Sequence, residues 1–497
     1  MELCDKYLKD LIKIDPIIND YFCLEEFNKF SHILPNYFSD EYSKKTNDLD
    51  EKYIDLLENK KNKTLYDKIL YRGLTHKYNF NNIDYYLPIN YDNNIFNIIV
   101  DDINNDGFFK FTNKNDIEIY IKRLKKLNVI TESIIKCFKE GIKNNVTMYR
   151  ENLDLLINSF DNILKEKKYI LKKDIPSKTI FNKNCEKYFV NNLKKLLDFF
   201  NNEYYIHSTN KLGICHYSGG KTIYKRILQY NLFNFATPEN IHQLGLSEIK
   251  HIVKELDKIS EKYKVYDKIS DDEMYNKLNK IKYRLNKNSK KYFYNTLSKN
   301  KLYNVKQNTS SDVEAYYKNN KNSTGTFYFN PENIHNDELL VLSLHEGIPG
   351  HHYQNFYEKK FPLYIQYFSS TGYVEGWGLY SESLYNYKDK SEYYFKLKYD
   401  LLRCVRLVLD TGIHYYGWTK EDCLQFNEKH LGKNHKCEYN RLVNDPGRDV
   451  CYKVGEKTIS FLKDKYLEKN PKGIKEFHEK ILNIGPIPLE NLLKEFN

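Results

Sequence analysis

Apolar residues recur along this chain at helical rather than strand spacing. Leu155-Leu156 with Ile163-Leu164, Leu193 to Phe200, Ile249 to Ile259 and Leu401 to Ile413 all fit amphipathic or buried helices. Strand signals are few. The clearest is Gly325-Thr326-Phe327-Tyr328-Phe329-Asn330, which mixes small or polar residues with aromatics of high β propensity before Pro331 stops it. The pattern predicts a mainly α fold with a small β edge element. An N-terminal helical half is expected over residues 1–204 and a C-terminal half over 205–497, as separate domains or one continuous fold. A central cleft between the halves would be natural, since pockets favour such boundaries. The polar stretch from Lys306 to Thr324 is the nearest thing to a linker and is expected as a flap over that cleft.

Composition narrows the classes. At 497 residues the chain can bury a large core, and its 46 Tyr and 28 Phe make that core aromatic-rich. Asn, Lys, Ile and Tyr abound throughout, so basic runs such as Asn59 to Lys63 read as solvated faces. A net charge of +11 is mild for this length, and no helix-turn-helix or zinc-finger spacing occurs. No nucleic-acid partner is expected. Nine cysteines (Cys4, Cys23, Cys137, Cys185, Cys215, Cys404, Cys423, Cys437, Cys451) are scattered and form no C-x-x-C pair, which does not suggest a disulfide framework. The opening MELCDKYLKDLIKIDP has no apolar signal-like core, and no run of 18 apolar residues occurs. A cytoplasmic protein without a membrane partner is the expectation; the oligomeric state is not readable.

The chemistry concentrates in His345-Glu346-Gly347-Ile348-Pro349-Gly350-His351-His352. The usual zinc-protease helix carries H-E-x-x-H, with both histidines on one face and the glutamate as general base. Here Pro349 stands four residues after His345, and the next histidines come six and seven on. On an ideal helix His351 points roughly 120° away from His345, while His352 lies about 10 Å further along the axis. Neither shares a metal with His345 unless the helix is distorted. Pro349 supplies a cause, because it lacks an N–H and its ring collides with the carbonyl of His345; Gly350 then permits angles other residues avoid. Some thirty residues on, Val374-Glu375-Gly376-Trp377-Gly378-Leu379-Tyr380-Ser381-Glu382 has helical spacing, with Glu375 and Glu382 two turns apart on one face. A helix lying there would offer Glu375 as third ligand and leave the fourth position to water, which is the catalytic zinc pattern.

HEGIPGHHYQ at 345–354 followed by EGWGLYSE at 375–382 resembles the domain of unknown function 885 family. Further blocks extend the resemblance: TPENIHQLG at 237–245, GTFYFN at 325–330, RLVLDTGIHYYGW at 406–418, PGRDVCYKVG at 446–455 and FHEKILNIGPIPL at 477–489. It covers nearly the whole chain. It implies an architecture similar to the helical zinc peptidases of the thimet oligopeptidase and thermostable carboxypeptidase types. In that comparison Pro-Gly is an insertion into H-E-x-x-H, and His351 rather than His352 aligns with the second ligand.

The resemblance implies one Zn2+ per chain bound by His345, His351 and Glu375, with Glu346 as general base and a peptide as substrate. Tyr452, in the 446–455 block, is the candidate donor to the developing oxyanion, and His414 the second. Gly325 and Phe327 are expected on an edge strand that pairs with extended substrate. Arg448 stands where the family usually has Gln; it either grips a carboxylate of the substrate or is a surface cation. Arg406, Asp410 and His414 share a helix face, and Arg406 and Asp410, with His352 and Glu382, are expected to orient ligands or support structure. A zinc hydrolase of non-peptide amides or esters and a catalytically silent binding protein are the alternatives.

Overall fold

The computed structural model describes residues 2–77, 83–260, 268–308, 313–319, 324–433, 435 and 438–496. The Lys306–Thr324 stretch, expected as a flap, lies partly outside these residues, as does Cys437. The chain divides into two compact units. One runs to Leu212 and adds His216–Gly219; the other takes Gly213–Cys215 and continues from Gly220.

The first unit is built on the helix Lys114–Lys143, started by a capping box between Asn113 and Asp116. Its apolar stripe of Ile117, Tyr120, Leu124, Leu127, Ile130, Ile134 and Phe138 is buried in a core shared with Leu156, Phe160, Leu193 and Phe200. The helices expected around Leu155 and Leu193 are present as Arg150–Lys165 and Asn191–Phe199. Inside this core Arg123 is paired bidentately with Asp20, at 2.6 and 3.0 Å.

The second unit packs two helix pairs. Helix α1 (Pro238–Ser260) lies against α4 (Lys390–Thr411), and α3 (Thr371–Ser383) lies against α5 (Val450–Lys469). The α3/α5 contact is backbone to backbone, because a Cβ on Gly376 would sit 2.5 Å from the carbonyl carbon of Gly455. Across this contact the charge of Glu375 on α3 reaches the Tyr452 phenol of α5. The short helix α2 (His351–Glu358) precedes α3. No helix among the described residues is long and apolar enough to cross a membrane.

A three-stranded sheet completes the unit: β1 (Asn304–Gln307), β2 (Ala315–Lys318) and β3 (Thr326–Phe329), in the order β1-β3-β2. The fold is mainly helical with a small sheet, as the periodicity predicts. The position of the strand is not as predicted. The Gly325–Asn330 segment forms the middle strand, parallel to β1 and antiparallel to β2. Its Phe327 is buried against Tyr303, so Gly325 and Phe327 present no free edge to a substrate. The edge beside the functional residues is β2.

Candidate metal centre

His345 sits on a wide turn, Ser343–Gly347, that ends the short helix Leu339–Leu342. The chain then leaves helical geometry through Ile348, Pro349 and Gly350 before α2 begins at His351. Pro349 has no N–H to continue the helix, and Gly350 backs so closely on the His345 carbonyl that a Cβ there would lie 1.8 Å from its oxygen. Trp377 of α3 clamps the break by donating its indole N–H to the Pro349 carbonyl at 2.9 Å. The interruption turns His351 back toward His345, and their rings meet edge to face with centroids 4.7 Å apart.

The two imidazoles converge on one carboxylate oxygen. His345 Nε2 and His351 Nε2 each lie 3.5 Å from Glu375 Oε2. Glu346 Oε1 stands further off, 4.0 Å from His345 Nε2. One ligand atom from each of His345, Glu346 and His351 also falls within 4.8 Å of the others. By mutual proximity alone either glutamate completes a set of three. The Oε2 atom of Glu375 is equidistant from both nitrogens, whereas Glu346 receives the backbone N–H of Tyr317 on Oε2 at 2.9 Å.

A tetrahedral zinc ion with ligands at about 2.0–2.2 Å places those ligands about 3.3–3.6 Å apart. The two 3.5 Å separations fit that geometry, and the donor set of two imidazoles and a carboxylate fits zinc chemistry. His345 Nδ1 is hydrogen-bonded to Glu382 Oε1 at 2.8 Å, which leaves Nε2 for the centre. Burial acts against a charge on His345, yet hydrogen bonds to Glu375 and Glu382 and the charge of Glu346 push its pKa up to about 10. Burial likewise opposes ionisation of Glu375, but His345 and His351 hold its carboxyl well below the usual range. The pocket attracts positive charge.

The remaining predicted residues separate into those near this centre and those elsewhere. Tyr452 feels its charge: burial, then the charge of Glu375, push its phenol above the ordinary range, so it stays protonated. The Arg406 guanidinium lies 6.0 Å from the Tyr452 ring centroid and is held by Glu438, with Asp449 at 3.6 Å. Asp410 accepts from Tyr224 and from the N–H of Gly447, and burial pushes its carboxyl up to about 8. It therefore pins the turn that leads into α5.

His414 is a structural residue, contrary to its expected role as an oxyanion donor. It is fully buried, with Nδ1 accepting from Ile214 N–H at 3.2 Å and Nε2 facing the Leu442 carbonyl at 2.8 Å. Arg448 is half exposed and ion-paired with Asp445 at 3.1 Å, which makes it a surface cation rather than part of the centre. His352 points away from the centre, with Nε2 at 2.9 Å from the Lys301 carbonyl and Nδ1 at 3.1 Å from the Tyr317 hydroxyl. Sequence reasoning missed Tyr317, whose backbone N–H fixes Glu346. The tyrosine pair in Ala315-Tyr316-Tyr317-Lys318 was its only strand signal.

Fold and site together define a mainly helical protein with a His-His-Glu centre backed by further carboxylates. The chain belongs to the family described as bacterial protein of unknown function (DUF885), whose profile matches residues 26–495. No curated protein matches it by sequence. Among solved structures, a candidate lipoprotein from Colwellia psychrerythraea is similar at TM-score 0.87 and 19% identity, covering 100% of this chain and 97% of that one. A candidate lipoprotein of unknown function from Shewanella oneidensis follows at TM-score 0.73 and 15% identity, over 99% and 98% of the two chains. Both share the fold. A carboxypeptidase from Pyrococcus furiosus reaches only TM-score 0.44 at 11% identity over 97% and 91%, a likeness too loose to build on.

Proposed function

We propose that this protein is a zinc-dependent peptidase. The observation that carries the reading is the convergence of His345 Nε2 and His351 Nε2 on Glu375 Oε2 at 3.5 Å each. A zinc ion held there would lower the pKa of water to about 7 and polarise the substrate carbonyl. Glu346, outside the ligand set but beside it, takes the proton of the attacking water and returns it to the leaving amine. Its carboxylate is aimed by the Tyr317 N–H. Tyr452, kept protonated, donates to the oxyanion as it forms.

The sheet supports a peptide as substrate. Asn330 N–H bonds to the Glu314 carbonyl, so the alternation of an antiparallel ladder turns the backbone groups of Ala315 and Tyr317 away from β3. The Tyr317 N–H reaching Glu346 agrees with this. An extended peptide laid along that edge would pair with main chain while its scissile carbonyl faces the His-His-Glu centre and the water beside Glu346.

The test begins with chelator-washed protein. Elemental analysis is expected to give one zinc per chain after reconstitution, and the loaded protein to cleave members of an unbiased peptide pool. Failure to take up zinc at neutral pH, or cleavage that survives Glu346→Gln, would overturn the reading.

A further inference from the structure

His352 is buried, with 5% of the residue exposed, and its two nitrogens reach opposite sides of the small sheet. Nε2 lies 2.9 Å from the carbonyl of Lys301, on the approach to β1, and Nδ1 lies 3.1 Å from the Tyr317 hydroxyl on β2. A carbonyl can only accept, so Nε2 carries the hydrogen, and Nδ1 of the neutral ring accepts from the phenol. The imidazole also meets the rings of Tyr303 and Tyr317 edge to face, with centroids 5.1 and 5.5 Å away. One side chain thus braces the segment before β1 against β2, the two outer strands of the sheet.

Tyr317 needs such a brace. It stands opposite Phe327 on a strand of four residues, at a position whose backbone groups turn away from β3. The ladder therefore leaves its N–H to another acceptor, and that N–H meets Glu346 Oε2 at 2.9 Å. His352 grips the same residue from the far end of its side chain. Gly325 makes the room for this, because a Cβ there would lie 1.9 Å from the Tyr317 hydroxyl oxygen and 2.2 Å from Cζ. A second tie, from Asn319 just past β2 to Asn355 of α2 at 3.3 Å, is exposed to water.

We propose that His352 is a positioning residue: by holding the Tyr317 hydroxyl it fixes the N–H that aims the Glu346 carboxylate, and with it the edge along which a substrate would lie. The proposal rests on the peptidase reading and gives the second histidine of the pair its task. Consecutive residues at the start of α2 then serve two different groups, His351 facing Glu375 and His352 steadying Glu346 through β2. The leverage is large, since a misplacement of about 1 Å at a reacting group can cost about a hundredfold in rate.

The first readout is amide hydrogen exchange at Tyr317, followed by mass spectrometry with fragmentation to single residues, in the full chain with and without zinc. Tyr317→Phe keeps the ring and the N–H and removes only the hydroxyl. Tyr317→Phe and His352→Phe are each expected to speed this exchange about three- to tenfold. The double variant should go no further, because both changes remove the same bond. Glu346→Ala marks the exchange of an unheld N–H. His352→Gln, whose amide offers a donor and an acceptor, should recover part of the protection. Gly325→Ala, which pushes the tyrosine ring off its seat, should match Tyr317→Phe. If His352→Phe does not fold, Tyr317→Phe and Gly325→Ala carry the comparison. Unchanged exchange at Tyr317, or single effects that add in the double variant, overturns the proposal.

Turnover separates it from the wider reading. With zinc content unchanged, the Tyr317→Phe and His352→Phe proteins are expected to lose about ten- to a hundredfold in kcat, and His352→Gln less. A merely structural role would lower the melting temperature and leave kcat alone. Faster exchange with undiminished kcat defeats the proposal and leaves the peptidase. A wild-type protein that cleaves no peptide defeats the peptidase, and exchange alone then decides whether His352 holds Tyr317 to Glu346.

Discussion

Glu382 holds His345 through a hydrogen bond of 2.8 Å between Oε1 and Nδ1. The two lie on different elements, and Glu382 sits two turns from Glu375 on the same face of α3, so a single helix supplies one proposed ligand and the group that orients another. Such partners fix the ring and raise its basicity, and their loss commonly costs 10–100-fold in metal affinity. Glu382→Gln keeps the shape but not the charge. It is expected to weaken zinc binding by about tenfold or more, read by competition with a chromophoric chelator. Unchanged affinity would mean that the pair is structural only.

Glu346 and Glu375 are both carboxylates at the centre, and the proposed mechanism gives them opposite roles. Glu346→Gln should lose at least about a hundredfold in kcat while retaining one zinc. Glu375→Gln should lose the metal itself. Elemental analysis of both variants beside peptide turnover separates the assignments, and a Glu346→Gln protein that no longer holds zinc would exchange them.

In the proposed mechanism Tyr452 contributes a hydroxyl whose value lies in the transition state. Tyr452→Phe leaves the ring, and its packing near Arg406, in place. The expected loss is about 10²–10³ in kcat with KM little changed. A rise in KM at constant kcat would instead make Tyr452 a substrate contact.

His414 gives a pH signature of stability. Its Nδ1 accepts a backbone N–H and its Nε2 faces a carbonyl, so the folded state holds the neutral ring, and burial pushes its pKa to about 4. In the unfolded chain the pKa is about 6.5. Below that value the unfolded state binds the extra proton, so stability is full above about pH 6.5 and falls as pH drops toward 4. The contribution is at most about 3 kcal/mol. Urea unfolding across this range should show a shallower loss for His414→Gln than for wild type; an identical slope would remove His414 as a cause.

The chain announces some of this and conceals the rest, for physical reasons. His345, Glu346 and Glu375 are legible because adjacent and helically spaced ligand types carry their own signature, and Pro349-Gly350 marks the break that re-aims His351. Tyr317 acts through a backbone N–H, which no side-chain pattern reveals. The central place of β3 depends on which strands pair with it, a tertiary matter that propensity does not encode. His414 and Arg448 carry the right functional groups, but burial against backbone takes one out of play and exposure beside Asp445 the other.

Gly378 offers a test of the centre that removes no ligand. It lies on α3 between Glu375 and Glu382, on the side facing His345. A Cβ at this position would fall 2.6 Å from His345 Cε1 and 2.8 Å from Nε2. Separations this short force a shift. His345 is tied at Nδ1 to Glu382 and pressed edge-on by His351, so the ring has little room to give. Alanine is otherwise a better helix former than glycine, by about 1 kcal/mol, and on that ground alone Gly378→Ala would stabilise α3. Overpacking of about 1–3 kcal/mol should outweigh this gain and fall on the geometry of the ligands. The expected result is a weaker zinc site, by roughly 5- to 150-fold, with peptide turnover reduced in step at limiting zinc and partly recovered in excess metal. A Gly378→Ala protein that binds zinc as tightly as wild type would show that His345 is not held where a metal needs it.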